Sequence, residues 1–294
     1  IEIPRNEHSD SQSLFTKIVH NRVAYGMEKV AQNYLNAFSP EFLFIKGGSN
    51  NSHNILNFGN MYLIEAPFLF AGLIYLFAKK KGREKHLVLL WLFISPLAAS
   101  ITKDAPHTNR MFAVFPMLSL VSAFGIYWLF TEVIKKNLLK NILLGLFIVL
   151  FILNFLIYMD RYFVHFPRNE AFNWGIGYKA LGELLKEPSF SSRKIIMTRP
   201  QYSPYIYLIF YNPYDPASYQ KEAVRYPPTR DGFVDVRQFG RYEFRDIDWE
   251  KDLKKDAVLV AWSSEVPEDI KHSYEKHEVT LPNGESMFTV IKTK

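Results

Sequence analysis

Four apolar runs, residues 61–78, 87–101, 111–130 and 142–159, fill the middle of the chain. Runs of this length predict helices that approach or cross a bilayer; the second, at roughly 15 to 17 residues and broken near its end by Pro96, sits at the lower limit. Lys79, Lys80, Lys81, Arg83 and Lys85 separate the first two runs, and Lys135, Lys136 and Lys140 separate the last two. Basic residues concentrate in short cytoplasmic loops, so both connections are expected inside the cell. The 103–110 connection, the N-terminal segment and everything after Asp160 are then expected outside.

The flanks follow other patterns. Residues 21–37 carry Val23, Met27, Val30, Ala31 and Leu35 near helical spacing, and Pro40 stops the run. This predicts an amphipathic helix and leaves open whether it lies on a membrane or packs on protein. The stretch 38–54, FSPEFLFIKGGSNNSHN, reads as an aromatic interfacial segment giving way to a solvent loop. Beyond residue 170 the periods belong to a small α/β domain. Helices are expected at 171–186 and from a Ser203-Pro204 cap to Tyr211, with strands at 194–198, 232–236, 242–247, 257–262, 275–280 and 287–291. Asn283-Gly284 marks a hairpin between the last two strands. The expected architecture is a multi-spanning α-helical membrane protein of about four transmembrane helices followed by a small external α/β domain. Its divisions are residues 1–58, 59–160 and 161–294.

Composition alone would suggest an ordinary basic protein, with 48% hydrophobic residues and a formal charge of +6. That average merges an apolar middle with polar flanks. The basic residues are explained by topology, and nothing argues for nucleic acid. The absence of cysteine removes disulfides, thiolate metal sites and thiol nucleophiles. The chain opens at Ile1 without a signal-peptide pattern, so it reads as the C-terminal part of a longer protein.

The densest chemistry lies in the connection PLAASITKDAPHTNR, residues 96–110. Lys103 is a point cation and Arg110 a planar fork; their natural common ligand is phosphate, which His107 would support as a donor, with Asp104 orienting Lys103 or His107. By spacing alone an ordinary loop, with Lys103 and Asp104 paired and Arg110 at lipid head groups, explains the residues as well. Glu65, a turn inside the first run, either lines the same outer cavity or pairs structurally. Asn50 and His53 are within reach of a ligand, or are incidental loop residues. Asn154 reads as an interhelical hydrogen-bonding group.

The tail offers little chemistry. Gly175 and Gly177 lack the third glycine of a dinucleotide fingerprint. Asp246 and Asp248 read as solvated carboxylates rather than metal ligands. Tyr202, Tyr205, Tyr207, Tyr211, Tyr214 and Tyr219 suit half-buried packing better than a carbohydrate platform.

The segment 38–54, with its F-S-P-x-F-L-F stretch followed by Gly, Asn and His53, and the T-x-D-x-P-H-x-x-R pattern at Thr102, Asp104, Pro106, His107 and Arg110 resemble two motifs of one family. Together they resemble the C-terminal half of bacterial GT-C membrane glycosyltransferases, the group of protein O-mannosyltransferases and aminoarabinose transferases that use polyprenyl-phosphate sugars. The resemblance covers roughly residues 31–165, and the tail more loosely.

It implies a cell-envelope enzyme, multi-pass in the cell membrane, with its C-terminal domain outside the cytoplasm. Its partners would be the lipid bilayer, a polyprenyl-phosphate-linked sugar and an external protein or glycan acceptor. Lys103, Asp104, His107 and Arg110 would hold the carrier phosphate, with Glu65, Asn50 and His53 lining the cavity. The acidic catalytic residue would lie upstream of Ile1, so no catalytic residue is assigned in this chain. No cofactor or metal site is implied, although a divalent metal is left open. The competing reading is a non-catalytic membrane-anchored protein whose external α/β domain binds a partner.

Overall fold

A computed structural model describes residues 22–199, 204–230 and 232–293. The chain separates into two compact units, one ending at Val164 and the other beginning at His165. The first is helical and the second is built on a mixed sheet.

In the first unit, α1 (Arg22–Asn36) precedes a wide turn at Glu41–Ile45. The core helices are α2 (Ala66–Ile74), α3 (Glu84–Ser100), α4 (Phe115–Trp128) and α5 (Asn137–Asp160). Two continuous helical stretches are long and apolar enough to cross a membrane: Asn109–Val133, which contains α4, and Asn137–Asn169, which contains α5. The other two expected spans are shorter helices; α3 is 17 residues long with Pro96 inside it.

Helices α2 and α4 touch backbone to backbone. A Cβ on Gly72 would lie 1.8 Å from the Val121 carbonyl oxygen, and one on Gly125 would lie 1.9 Å from that of Phe68. Small residues permit this approach, which brings the two backbones into van der Waals contact. Helix α5 buries no residue. It meets α2 and the turn before it through aromatic rings, Phe147 on Phe68 at 4.8 Å and Phe151 on Tyr62 at 5.1 Å between centroids. Asn154 does not reach across to another helix with its amide N–H; it donates to the Leu150 carbonyl of its own helix at 2.9 Å. The carbonyl one turn back, which also takes the backbone N–H, is the nearest acceptor for an Asn in a helix.

The aromatic segment is not an interfacial fringe. Phe42 and Leu43 are buried in the core of the helical unit, with Phe42 stacked on Phe115 at 6.3 Å. Met61 N–H donates to the Leu43 carbonyl at 2.7 Å, and Gly59 passes so close that a Cβ there would sit 2.3 Å from the Phe44 backbone.

In the second unit the strands are β1 (Lys194–Met197), β2 (Val224–Arg225), β3 (Val236–Phe239), β4 (Tyr242–Phe244), β5 (Ala257–Trp262), β6 (Lys276–Thr280) and β7 (Ser286–Lys292). Their order is β2-β3-β4-β1-β5-β7-β6; β1 runs parallel to β4 and β5, and the other pairs are antiparallel. Central β5, AVLVAW, is apolar on both sides because both faces are covered. One face packs on α6 (Ile176–Leu184) and α7 (Tyr205–Tyr211), the other on Val266 and Ile270.

The hairpin forms as expected around Asn283-Gly284, with Gly284 at φ 89°. The strand expected at 232–236 begins only at Val236, because Thr229 and Phe233 close a turn through their backbones at 2.7 Å. The first tail helix starts later than expected, at Ile176, behind a left-handed Gly175. Tyr205, Tyr207, Tyr211, Tyr214 and Tyr219 are half-buried against the core rather than presented as a platform; Tyr202 lies outside the described residues. Asp248 accepts from Lys251 N–H at 3.2 Å and caps a single helical turn. With cores on both faces, residues 165–294 expressed alone are expected to unfold in one cooperative thermal transition. A broad melt without dispersed amide resonances would show that the tail depends on the helical unit.

Candidate functional site

The two polar segments meet. Gly47, at φ 74°, turns the chain after the buried aromatic stretch, and Gly48 then passes against the 105–108 loop. A Cβ on Gly48 would lie 3.2 Å from both the Pro106 carbonyl oxygen and the Thr108 hydroxyl, so the two loops are in backbone contact. Asn54, only 8% exposed, ties them together. Its Oδ1 accepts from Gly48 N–H at 2.9 Å and from the Thr108 hydroxyl, and its amide donates to the Asn50 carbonyl at 2.6 Å. A buried primary amide is costly unless its donors and acceptors are met, so three bonds at one side chain fix both loops.

The imidazoles of His53 and His107 lie 5.0 Å apart between centroids, tilted by 51°. The Asn109 amide donates to His53 Nδ1 at 2.9 Å, which makes neutral His53 the Nε2–H tautomer. His107 is 5% exposed, and its Nδ1 is buried without a hydrogen-bond partner. Burial pushes the His107 pKa down; the Arg110 and His53 charges act in the same direction, and Asp104 opposes them.

Around this pair, of which only His107 is buried, stand exposed charges. Arg110 donates through Nη1 to the Thr102 hydroxyl at 2.9 Å and to the Lys103 carbonyl. That closes the loop from its far side and leaves the Nε and Nη2 edge of the guanidinium without a partner among the described residues. Lys103 and Asp104 are exposed, and Asp104 adopts a left-handed φ of 63°. Among the described residues no ion pair joins Asp104 to Lys103 or to His107, so its orienting role is not seen in the structure. The result is an outward-facing excess of cation over an imidazole floor, a surface suited to an anionic oxygen ligand such as phosphate.

Glu65 and Asn50 are both engaged with backbone. Glu65 accepts Tyr62 N–H at 2.9 Å and caps the turn leading into α2. Asn50 accepts Ser52 N–H at 3.0 Å and caps the Asn51–His53 turn. Among the described residues no group of three His, Asp or Glu side chains converges to hold a metal ion.

Sequence reasoning passed over Asn54, Thr108 and Asn109. Thr108 and Asn109 occupy unspecified positions of the T-x-D-x-P-H-x-x-R pattern, and their partners lie more than fifty residues away, so no local signal marks them. It also passed over Arg161, whose Nη1 holds the Leu56 and Asn57 carbonyls at 3.1 and 2.9 Å and so anchors the loop after Asn54 to the end of α5. No family model, curated protein or solved structure matches the chain.

Proposed function

We propose that this chain is the C-terminal part of an integral-membrane glycosyltransferase that moves a sugar from a polyprenyl-phosphate carrier to an external acceptor. In this reading the 103–110 loop holds the carrier phosphate. Four membrane passes place residues 79–85 and 135–140 in the cytoplasm and the tail outside. The observation that supports it is the convergence of two segments that separately resemble one family, joined through Asn54, Thr108, His53 and Asn109 into a single cationic site.

An apolar groove of about 710 Å³ lies between α3 and the 109–128 helical stretch, lined by Leu87, Trp91, Ile94, Ala113, Met117 and Leu120. Ala113 is one turn from Arg110, so a phosphate at the loop could lead an isoprenoid tail into this groove. Lys103 and the open edge of Arg110 would neutralise the phosphate as it leaves, stabilising charge that develops in the transition state.

The test is turnover of the full-length protein reconstituted with a polyprenyl-phosphate sugar. Arg110→Lys keeps the charge but removes the fork. Losing one charge-assisted hydrogen bond at about 1.5–3 kcal/mol predicts a roughly ten- to hundredfold lower rate. Thr102→Val removes the loop bond without touching charge and is expected to change turnover far less. An equal loss in Thr102→Val and Arg110→Lys would assign the effect to loop shape. Unchanged turnover and donor saturation in both Arg110→Lys and Lys103→Ala would exclude this loop as the phosphate site.

A further inference from the structure

Helix α1 presents three different surfaces. Residues of a helix advance about 100° each, so Gly26, Val30, Asn33 and Ala37 share one sector, Met27, Ala31 and Leu35 a second, and Glu28, Lys29, Gln32 and Asn36 a third. The first sector is joined to protein. Asn33, buried, donates to the Ser100 carbonyl at 3.0 Å, and Ala37 is in the core of the helical unit. Beside it, the Tyr34 hydroxyl donates to the Phe93 carbonyl at 2.9 Å, and Phe38 packs on Phe93 at 5.9 Å. The third sector is polar, with Gln32 donating to Glu28 at 3.1 Å. The second is apolar and uncovered: Met27 is 69% exposed and Leu35 68%.

We infer that the Met27–Ala31–Leu35 stripe is seated in the acyl region of the outer membrane leaflet, so that α1 is an interfacial helix braced against α3. The depth argues for lipid as the occupant. Asn33 grips Ser100, the last residue of α3, and Tyr34 grips Phe93, seven residues or about 10 Å further in, so α1 is held within about 10 Å of the end of α3 that the proposed orientation places outside. An amphipathic helix beds its apolar face about 5–10 Å into the boundary between head groups and acyl chains, so α1 is attached to α3 at the level such a helix occupies. Continuity argues the same way. Leu97 and Ile101, at the same end of α3, are also exposed, and the stripe extends that apolar surface sideways.

The inference rests on reading the helices as membrane passes in the proposed orientation.

The chain has no cysteine, so single nitroxide labels can be placed by substitution. The full chain would carry a label at Met27→Cys, Leu35→Cys, Glu28→Cys or Gln32→Cys, in vesicles of phosphatidylethanolamine and phosphatidylglycerol. Ile148→Cys on α5, exposed and far from any loop, reports on the membrane reading itself. All five positions tolerate a side chain at the surface, so folding is not at stake.

Labels at 27 and 35 are expected to collide several-fold more with oxygen, relative to a water-soluble nickel chelate, than labels at 28 and 32, and to behave like the label at 148. Equal nickel accessibility at all four α1 positions, with 148 still lipid-exposed, would overturn the interfacial helix alone. Labels at 27 and 35 shielded from both reagents would mean that protein, not lipid, covers the stripe, and would also overturn it. A water-exposed label at 148 would overturn the membrane reading and this inference together.

Discussion

Asp252→Ala is expected to destabilise the sheet unit by about 3 kcal/mol, a large fraction of the stability of a domain this size. Asp252 is fully buried, yet its carboxylate is met on every side. Arg245 binds it with both terminal nitrogens at 2.7 and 2.8 Å, Lys255 donates at 2.6 Å and Asp248 N–H at 2.9 Å. Removing one partner of a buried pair strands the other, which costs about 3–5 kcal/mol. The lower end applies because Arg245 keeps Glu243, 3.0 Å from its Nε, and Glu243 in turn binds Lys194.

The pH dependence follows from the same contacts. The Arg245 guanidinium, with help from Lys255 and Asp248 N–H, holds the Asp252 carboxyl well below its ordinary value of 3.8 against the opposing effect of burial. A folded-state value below the unfolded one means the contribution is complete above about pH 4 and is lost as pH falls below it. Hydrogen exchange of the Ile195–Met197 amides in the full chain measures the difference between wild type and variant. A difference that fails to narrow between pH 7 and pH 3, or one below about 1 kcal/mol at pH 7, would show that this network does not hold the sheet.

Gly125→Val is expected to separate α2 from α4 and cost about 3 kcal/mol or more of the stability of the helical unit. By intrinsic preference alone, replacing a helical Gly favours the helix by several tenths of a kcal/mol. Packing reverses the sign. The first added carbon would lie 1.9 Å from the Phe68 carbonyl oxygen and 2.7 Å from Gly72 N, both backbone atoms that cannot turn aside. Overpacking a tight core costs about 1–3 kcal/mol, and more when backbone must move. Gly145 supplies the control, because a Cβ there meets nothing within 4 Å. Gly145→Ala is therefore expected to stabilise by a few tenths to about 1 kcal/mol. Reversible unfolding in mixed micelles would read both, and similar behaviour of the two variants would show that the α2–α4 contact is looser than its geometry.

The sequence by itself determined what depends on neighbours a few positions apart. Long apolar runs gave helices, and short runs with β-branched residues bounded by turn signals gave β5, β6 and β7 nearly to the residue. Asn283-Gly284 placed their turn. The local signal weakened where turns compete with strands, as at Thr229–Phe233, and where a two-residue strand such as β2 draws its stability only from its partner.

Tertiary structure alone decided how distant polar groups are used. Nothing in FSPEFLF distinguishes an interfacial aromatic from Phe42, which the approach of Gly59 and Met61 makes core. Glu65 and Asn50, by contrast, meet backbone N–H groups only three and two residues away. Asn54, one amide in a turn-rich stretch, became the joint between two loops because Gly48 and Thr108 both point at one oxygen. Local periodicity is written in each segment, whereas a buried hydrogen bond is satisfied only when both partners arrive, and Thr108 reaches Asn54 across 54 residues of chain.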